Sequence, residues 1–478
     1  MTIEINHVII EIYYTVRKMG ANMSWVQYFP TLKSVNENDD IKKVVKDLKK
    51  DLSLVINVKD FGAISSASIE VGGLTLLLGD NDSGKTSQMK LLAEILRVLP
   101  DVYAFDEYCT GKEFPSIITK DNYFEIESVI NKWLDKNKDN IVKSAFNIQI
   151  PLKELSIRIK STTAKFSLRS LSHEEIISRH SNKIKGATSG FEFVWNNIST
   201  DIFSDSDMSF VNTFVHGILN CVLYEKRNSV IFIPSSRSGF ELFYMNPWPL
   251  LIEGKAKELF GQDSLPYIKQ YLMFIDHLNT DLDNHSREML DFVKEKIVDR
   301  DFKINDIIYM NYRRNCDKPS LENTHSFSSS SINKSLPFLA LIADELRHQY
   351  VFFDEVEMGF HPLKQIELAR LLVRLINYGY HMVISTHSDT LAAAINNLVM
   401  LSFAEKREEK AKKIGYTKND LFDSNNIHVY QFIRKDDIIE VEELECYYEQ
   451  GIGYDFDLFY DSNTRLYKEA KIITGEDI

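Results

Sequence analysis

The sequence has few cysteines, no long apolar run and no excess of positive charge. Its four cysteines stand far apart, without the paired spacing of a zinc site or a disulfide framework, so a reducing cytoplasm is expected. The apolar run at 8–12 is too short to span a bilayer and follows Glu4, which argues against a signal peptide. The formal net charge of −13 gives no general attraction to nucleic-acid phosphates. These absences indicate no membrane role and favour a globular cytoplasmic protein, with local basic patches still open.

The sequence also lacks a long heptad array, which excludes an extended coiled-coil arm. Its 44% hydrophobic and 26% charged residues are ordinary globular composition. We predict an N-terminal accessory arm at 1–50, a segment that opens with short strands at 51–240, a largely helical insertion at 241–320 and a final segment at 321–478. From about residue 336 helices and strands alternate, which is typical of a parallel α/β sheet.

The clearest motif is a phosphate-binding loop in LTLLLGDNDSGKTSQMKLLAEILRVLP. An apolar strand is followed by Gly, four residues and Gly-Lys-Thr, and then by a periodic helix. The glycines let backbone N–H groups surround a phosphate, Lys85 reaches the β and γ oxygens, and the Thr86 hydroxyl suits Mg²⁺. A chance glycine-rich turn is the alternative, but strand and helix are both in place. The predicted nucleotide-binding residues here are Gly79, Asp80, Asn81, Asp82, Ser83, Gly84, Lys85, Thr86 and Ser87.

A second motif, YVFFDEVEMGFHP, places two acids at the end of an apolar strand. The carboxyl ends of such strands form the edge where open α/β sheets bind ligands. We expect Asp354 to hold the Mg²⁺ shell and Glu355 to orient or deprotonate the attacking water. The alternative is an acidic cap at a strand end, which is common without a phosphate loop.

A third motif, HMVISTHSDTLAAAINNLV, follows one helix later and again ends an apolar strand in polar residues. Its His387 stands where a sensor of the γ-phosphate is needed, and a neutral imidazole can donate one hydrogen bond to that phosphate. A polar strand cap is the alternative reading. We predict catalytic roles for Lys85, Glu355 and His387.

The stretch FSSSSINKSLP at 327–337 admits two interpretations. A serine-rich run is usually a solvated linker. It can also start a helix whose free N–H groups and serine hydroxyls bind phosphate. On the segment alone, the linker is the favoured interpretation.

These motifs, in this order and with a long insertion between the first two, resemble ABC-type ATPase heads. The resemblance implies an α/β fold with a mixed sheet, a phosphate loop and parallel core strands, in two lobes at 51–240 and 321–478. It implies ATP and Mg²⁺ as ligands and a homo-oligomer with composite sites, in which Ser330 and Ser331 reach the nucleotide of another chain. Both glycines of the usual signature loop are missing here, which suggests slow hydrolysis.

More local detail is similar to overcoming-lysogenisation-defect (OLD) ATPases. The similarity lies in DEVEMGFHPLKQ, STHSDTLAAAINNLV and VIFIPSSRSGFE. In the last stretch, Arg237 is either a phosphate or interface contact or a solvated surface residue. Outside these three stretches, Gln149 is a candidate for the Q-loop glutamine of an ABC-type head. We predict that the acidic tail with Asp455, Asp457 and Asp461 is a solvated segment rather than a metal cluster. The roughly ninety residues that follow His387 are too few for a Toprim nuclease domain of ordinary size.

An ATPase head of this type without its own nuclease resembles the standalone ATPase subunits of two-component anti-phage systems. The PARIS subunit is the nearer match and the Septu subunit the second. This resemblance implies a separate nuclease effector, of the Toprim type, and a phage-encoded trigger protein as partners. The main rival is a repair-type ATPase that clamps DNA, although the basic clusters at 42–50 and 406–413 are interleaved with acids. A scaffold that binds ATP without hydrolysis is a further alternative.

Overall fold

The structure is a computed structural model that describes much of the chain from residue 53 onward. The described residues are 53–99, 124–160, 166–179, 189–195, 198–204, 230–236, 267, 271, 274, 282–298, 330–343, 350–422, 427–447, 453–456, 469 and 471. The chain divides into two compact units. The smaller contains the described residues among 53–57, 95–138 and 154–227, and the larger those among 58–94, 139–153 and 228–478. The predicted arm at 1–50 lies outside the described residues, and the predicted domain boundaries remain predictions.

The strands have two to nine residues, and those of the parallel core follow the apolar runs of the sequence. They are β1 (Ser53–Phe61), β2 (Ile64–Val71), β3 (Leu74–Gly79), β4 (Phe124–Glu125), β5 (Glu154–Lys160), β6 (Phe166–Ser170), β7 (Ser189–Trp195), β8 (Ile198–Ser204), β9 (Val230–Ile233), β10 (Tyr350–Phe353), β11 (His381–Ser385), β12 (Ile427–Lys435), β13 (Ile438–Glu443), β14 (Cys446–Tyr447) and β15 (Gly453–Tyr454).

The described helices lie mostly in the larger unit. They are α1 (Lys85–Val98), α2 (Ile126–Phe146), α3 (His173–Arg179), α4 (Asn284–Phe292), which continues as a π-helix (Val293–Val298), α5 (Ser330–Ile342), α6 (Pro362–Asn377), α7 (Asp389–Phe403) and α8 (Arg407–Lys413), and a 3₁₀ turn spans Lys418–Asp420. Among the described residues, no helix is both long and apolar enough to cross a membrane.

The larger unit is built on a mixed sheet with the strand order β2-β13-β12-β3-β11-β10-β9. Strands β9, β10, β11, β3 and β12 run parallel to their neighbours in this order, whereas β13 is antiparallel to β12. Every residue of β3 and β10 is buried, as expected for strands covered on both faces. The α/β fold class with a phosphate loop and parallel core strands is therefore confirmed.

Helices α5, α6 and α7 contribute apolar residues to the core cluster of this unit. Leu341 of α5, Leu371 of α6 and Leu398 of α7 are buried in the same cluster as Val351 and Ile384 of the sheet. Helix α4 joins them within the segment predicted as a helical insertion, and Asp283 caps it by accepting a hydrogen bond from the Ser286 N–H at 2.7 Å. The described part of the insertion is helical, as predicted.

The smaller unit contains an antiparallel sheet in the order β4-β6-β7-β8. Its longest hairpin pairs β7 with β8, with Phe191 opposite Ile202 and Phe193 opposite Thr200. The sequence analysis did not predict this sheet, because its strands alternate apolar and polar residues only weakly and lie in a stretch of mixed composition.

Candidate active site

The phosphate loop joins the end of β3 to the start of α1, as the motif predicts. Gly79 ends the strand at φ 152°, and a Cβ there would lie 2.8 Å from the Phe432 carbonyl oxygen and 2.8 Å from Ser83 Oγ. Gly84, just before Lys85, has φ 83°. Both positions need glycine, the first because of close approach and the second because of its left-handed backbone.

Lys85 is buried against its own loop, with a side chain that is 5% exposed. Its Nζ donates to the carbonyl oxygens of Gly79 and Asp80, each at 2.8 Å, and to Ser83 Oγ at 3.1 Å. Burial lowers the pKa of Lys85 to about 8, against the opposing effect of four nearby carboxylates, those of Asp354, Asp80, Glu355 and Glu357. The ammonium group therefore lies within electrostatic range of all four acidic residues.

The other predicted loop residues surround this centre at different depths. Asp80, Asn81 and Asp82 are exposed, Ser83 is buried, and Ser87 in the first turn of α1 is half-buried. The Ser83 N–H donates to the Asp80 carbonyl at 3.3 Å, and Asp82 adopts a left-handed backbone at φ 61°. The loop is thus a tight turn that opens onto solvent at 80–82.

Thr86 and Asp354 meet across the sheet edge although 268 positions separate them in the sequence. The Thr86 hydroxyl lies 3.0 Å from each carboxylate oxygen of Asp354, so it donates to that carboxylate. One hydroxyl and one carboxylate are the oxygen ligands that Mg²⁺ prefers, and Mg²⁺ usually keeps several waters besides them. The residues present therefore fit a magnesium site, with Thr86 and Asp354 as its protein ligands.

Glu355 lies in the turn directly after β10, in the left-handed region at φ 45°. Its N–H donates to Ser385 Oγ at 2.8 Å, and the same hydroxyl donates to Asp354 Oδ1 at 2.6 Å. Ser385 is fully buried at the end of β11. One serine therefore fixes the backbone of Glu355 and the carboxylate of Asp354 together.

His387 follows β11 and its side chain is exposed. Its backbone N–H donates to Glu357 Oε1 at 2.8 Å. The next residue, Ser388, caps α7 through the Leu391 N–H at 3.1 Å and makes a short hydrogen bond to Gln365 Oε1. The segment that carries His387 is thus attached to the turn after β10 and to α6.

The remaining predicted residues are not brought into this cluster by the described contacts. Helix α5 begins at Ser330, so the predicted helix start is observed, but the side chains of Ser330 and Ser331 lie outside the described part. Arg237 also lies outside it, and Gln149 is exposed between α2 and β5. In the acidic tail Asp455 is exposed, Asp457 and Asp461 lie outside the described residues, and the described residues form no metal-binding acidic group.

Sequence analysis missed Ser385 and Glu357 as members of the site. Both act on backbone N–H groups, and no residue type signals such a contact in a sequence. Their positions at and just beyond the ends of adjacent parallel strands are the one signal that pointed to them.

The parallel core, the phosphate loop and the acidic strand end together define a P-loop nucleotide-hydrolase site. A family model of the AAA ATPase domain matches residues 55–392, which include the phosphate loop, the acidic strand end and the parallel strands β3, β9, β10 and β11. The chain belongs to this family and is an ATPase. No curated protein matches it.

Solved structures of two SMC head domains and of one ATP-binding cassette are distantly similar to the chain. The Smc head domain of Pyrococcus furiosus bound to the C-terminal domain of ScpA has a TM-score of 0.31 and 9% identity, over 84% of this chain and 98% of that one. The Thermotoga maritima SMC head has a TM-score of 0.26 and 9% identity, over 83% and 99%. An ATP-binding cassette of an ABC transporter in its ADP conformation has a TM-score of 0.27 and 12% identity, over 83% of this chain and 91% of that one. TM-scores this low do not support any inference from these structures to the function of this chain.

Proposed function

We propose that this ATPase is an ABC-type head that hydrolyses ATP with Mg²⁺ in a site shared between two chains. The observation that carries the proposal is the contact of Thr86 with Asp354. It joins the phosphate loop to the acidic strand end at one edge of the sheet. In this reading Lys85 leaves its own loop carbonyls for the β and γ oxygens, since a bound phosphate is a stronger acceptor.

Glu355 is the proposed base or orienting group for the attacking water. Bound Mg²⁺ would neutralise charge that develops on the phosphate oxygens. Ser385 holds the Glu355 backbone beside Asp354, so the carboxylate of Glu355 stays close to the metal ligands. His387, exposed at the end of the adjacent strand, is the proposed donor to the γ-phosphate.

The second half of the site is proposed to come from another chain. Helix α5 begins at Ser330, and a helix start with free N–H groups is suited to an anion. The order of motifs resembles that of ABC-type heads, whose signature helix contacts the nucleotide of the opposite subunit. The proposed active form is therefore a homo-oligomer.

The biological role proposed for this ATPase is control of a separate nuclease in anti-phage defence. The support is the resemblance of DEVEMGFHPLKQ and STHSDTLAAAINNLV to OLD-like ATPases and to the standalone subunits of the PARIS and Septu systems. ATP-bound oligomers in the cytoplasm would hold the nuclease, of Toprim type, until a phage-encoded trigger protein is sensed. An adjacent reading frame for a Toprim or an HNH nuclease would choose between the two systems.

The test of the chemistry is the substitution Glu355→Gln, which keeps shape and removes the base. ATP turnover should fall about 100-fold or more, because general-base groups contribute on that scale. ATP binding should persist, measured by equilibrium titration, whereas Lys85→Ala should lose binding. Turnover of Glu355→Gln at the wild-type rate would contradict the assignment, and wild-type turnover no higher than that of Lys85→Ala would favour a non-hydrolysing scaffold.

A DNA-clamping ATPase remains the second candidate, because α8 ends in the exposed lysines Lys410, Lys412 and Lys413. The acids Glu408 and Glu409 in its first turn offset that charge. Duplex binding that weakens with salt and with loss of these lysines would support this candidate over nuclease control.

A further inference from the structure

Glu357 reaches from one strand end to the next within the candidate site. Strands β10 and β11 are parallel neighbours, with Phe353 opposite Ile384, so the chain leaves both at the same edge of the sheet. Glu357 lies in the turn after β10, and its Oε1 accepts the His387 N–H at 2.8 Å. This contact links the turn that carries Glu355 to the segment that carries His387.

The Glu357 carboxylate is placed at a cost to stability. The residue is 9% exposed, and its second oxygen, Oε2, is buried without a hydrogen-bond partner in the part of the chain that the structure describes. A buried carboxylate with an unsatisfied oxygen is unfavourable, and apolar residues of similar volume are often neutral or stabilising in such places. A costly group beside a reaction centre indicates a functional role.

The charge of Glu357 acts on the same centre. Its carboxylate is one of the four that oppose the effect of burial on Lys85, together with Asp354, Asp80 and Glu355. Glu357 therefore lies within electrostatic range of the phosphate-loop lysine as well as in contact with the His387 backbone.

We propose that Glu357 is a positioning residue of the ATPase, which acts through His387. Its carboxylate holds the His387 N–H, and the bond between Ser388 and Gln365 holds the following residue, so the backbone from which the imidazole extends toward the γ-phosphate is held in place. The inference rests on the proposed function, in which His387 contacts that phosphate. Displacement of a catalytic group by about 1 Å is enough to slow an enzyme by up to about 100-fold.

Two substitutions separate the reach of Glu357 from its charge. Glu357→Gln keeps an acceptor oxygen at the same distance and should retain most of the wild-type kcat. Glu357→Asp keeps the charge but is one methylene shorter, so it should lower kcat about tenfold while the KM for ATP changes little. The matched control is Glu442→Ala, an exposed glutamate of β13, which should leave kcat unchanged.

A double-mutant cycle with His387→Ala tests whether the effect passes through the imidazole. Glu357→Asp should slow the wild-type background and have no further effect in the His387→Ala background. Equal factors in both backgrounds, or a wild-type kcat for Glu357→Asp, would overturn the proposal, as would an unchanged kcat in His387→Ala. Melting temperatures of all variants show which are folded. A lower kcat for Glu357→Gln than for Glu357→Asp would contradict the role of reach and assign the effect to the charge of Glu357 instead.

Failure of this inference is distinguishable from failure of the proposed function. If the wild type hydrolyses ATP and Glu355→Gln does not, the proposed chemistry stands whatever the cycle gives. Additive effects in the cycle would then remove only the role of Glu357.

Discussion

Ser385 connects the two acidic residues of the site through a single hydroxyl group. It donates to Asp354 Oδ1 at 2.6 Å in a buried contact, and it accepts from the Glu355 N–H at 2.8 Å in a partly buried one. Glu355 has a left-handed backbone at φ 45°. A residue with a side chain keeps this unfavourable conformation only where contacts with its surroundings hold it there. The hydroxyl therefore stabilises a strained residue at the position of the proposed base.

We expect Ser385→Ala to slow ATP turnover more than it weakens ATP binding. The substitution leaves the Glu355 N–H unsatisfied and frees its backbone, at a cost of about 1–3 kcal/mol in stability. The turnover number should fall about tenfold, measured at saturating ATP. The control is Ser402→Ala near the end of α7, a buried serine outside the site that likewise donates one hydrogen bond, to the Leu398 carbonyl at 2.6 Å, and accepts one, from the Phe422 N–H at 2.8 Å. Equal turnover in the two variants would show that Ser385 has no role in positioning Glu355.

Helix α6 is attached to the 3₁₀ turn at 418–420 by a buried ionic network. Asp420, which is fully buried, accepts from Arg370 at 2.9 Å, from Arg374 at 2.8 Å and from the Thr417 N–H at 2.8 Å. Arg374 also lies over the Phe292 ring at 4.1 Å, so the network reaches the end of α4. Burial raises the pKa of Asp420, but the hydrogen bonds from the two arginines outweigh it and hold the pKa below its ordinary value.

Removal of the Asp420 carboxylate should destabilise the larger unit strongly. Asp420→Ala leaves the buried Arg374 without an acid and the buried Arg370 with Glu367 alone, and breaking a buried pair in this way typically costs about 3–5 kcal/mol. The free energy of unfolding by urea measures this loss. Asp437→Ala, at an exposed aspartate of the β12–β13 turn, should cost less than about 0.5 kcal/mol. A similar small cost for Asp420→Ala would mean that the network contributes no net stability.

His428 makes the β-strand pair β12–β13 sensitive to pH. Its Nδ1 lies 2.8 Å from Glu443 Oε1 on β13, and its Nε2 lies 3.4 Å from Glu70 Oε1 on β2. Burial lowers the pKa of His428, but its hydrogen bonds to Glu70 and Glu443 outweigh that effect and raise the pKa above its ordinary value. The folded state therefore binds this proton more tightly than the unfolded state.

The stability that His428 contributes should be complete below about pH 6 and be lost as the pH rises through its raised value in the folded state. His428→Gln removes the charge and keeps a polar side chain. The difference in melting temperature between the wild type and this variant should be larger at about pH 6 than at about pH 8.5. A difference that stays constant, or grows toward high pH, would contradict the charged pairing.

An element could be predicted when the residues that determine it form a continuous pattern in the sequence. Strands β3 and β10 are continuous apolar runs buried on both faces, and their ends carry the phosphate loop and the acid pair, so sequence reasoning located them. The sheet formed by β4, β6, β7 and β8 has no such pattern and depends on pairing across distant segments. Ser385 and Glu357 were not predicted because each accepts a backbone N–H of another strand end, and only the folded sheet brings these groups together.

At the scale of the whole molecule, the proposed composite site predicts that two inactive chains restore each other. One variant, Lys85→Ala with Glu355→Gln, lacks the phosphate-loop half. The other, Ser330→Glu with Ser331→Glu, places negative charge where the second half is proposed to meet phosphate. Acid is well tolerated at a helix start, so this variant should fold. A mixed dimer then contains one complete site out of two.

Random pairing of equal amounts should therefore recover about a quarter of the wild-type ATPase activity per chain, since about half of the dimers are mixed. Neither variant alone should turn over ATP. Differently tagged chains show by co-purification that mixing has occurred, and the same tags on wild-type chains give the reference. Mixed oligomers without recovered activity would place the whole site within one chain. In that case every site of a mixed dimer still carries one of the two defects. Recovery would instead require that α5 of one chain complete the phosphate loop of another.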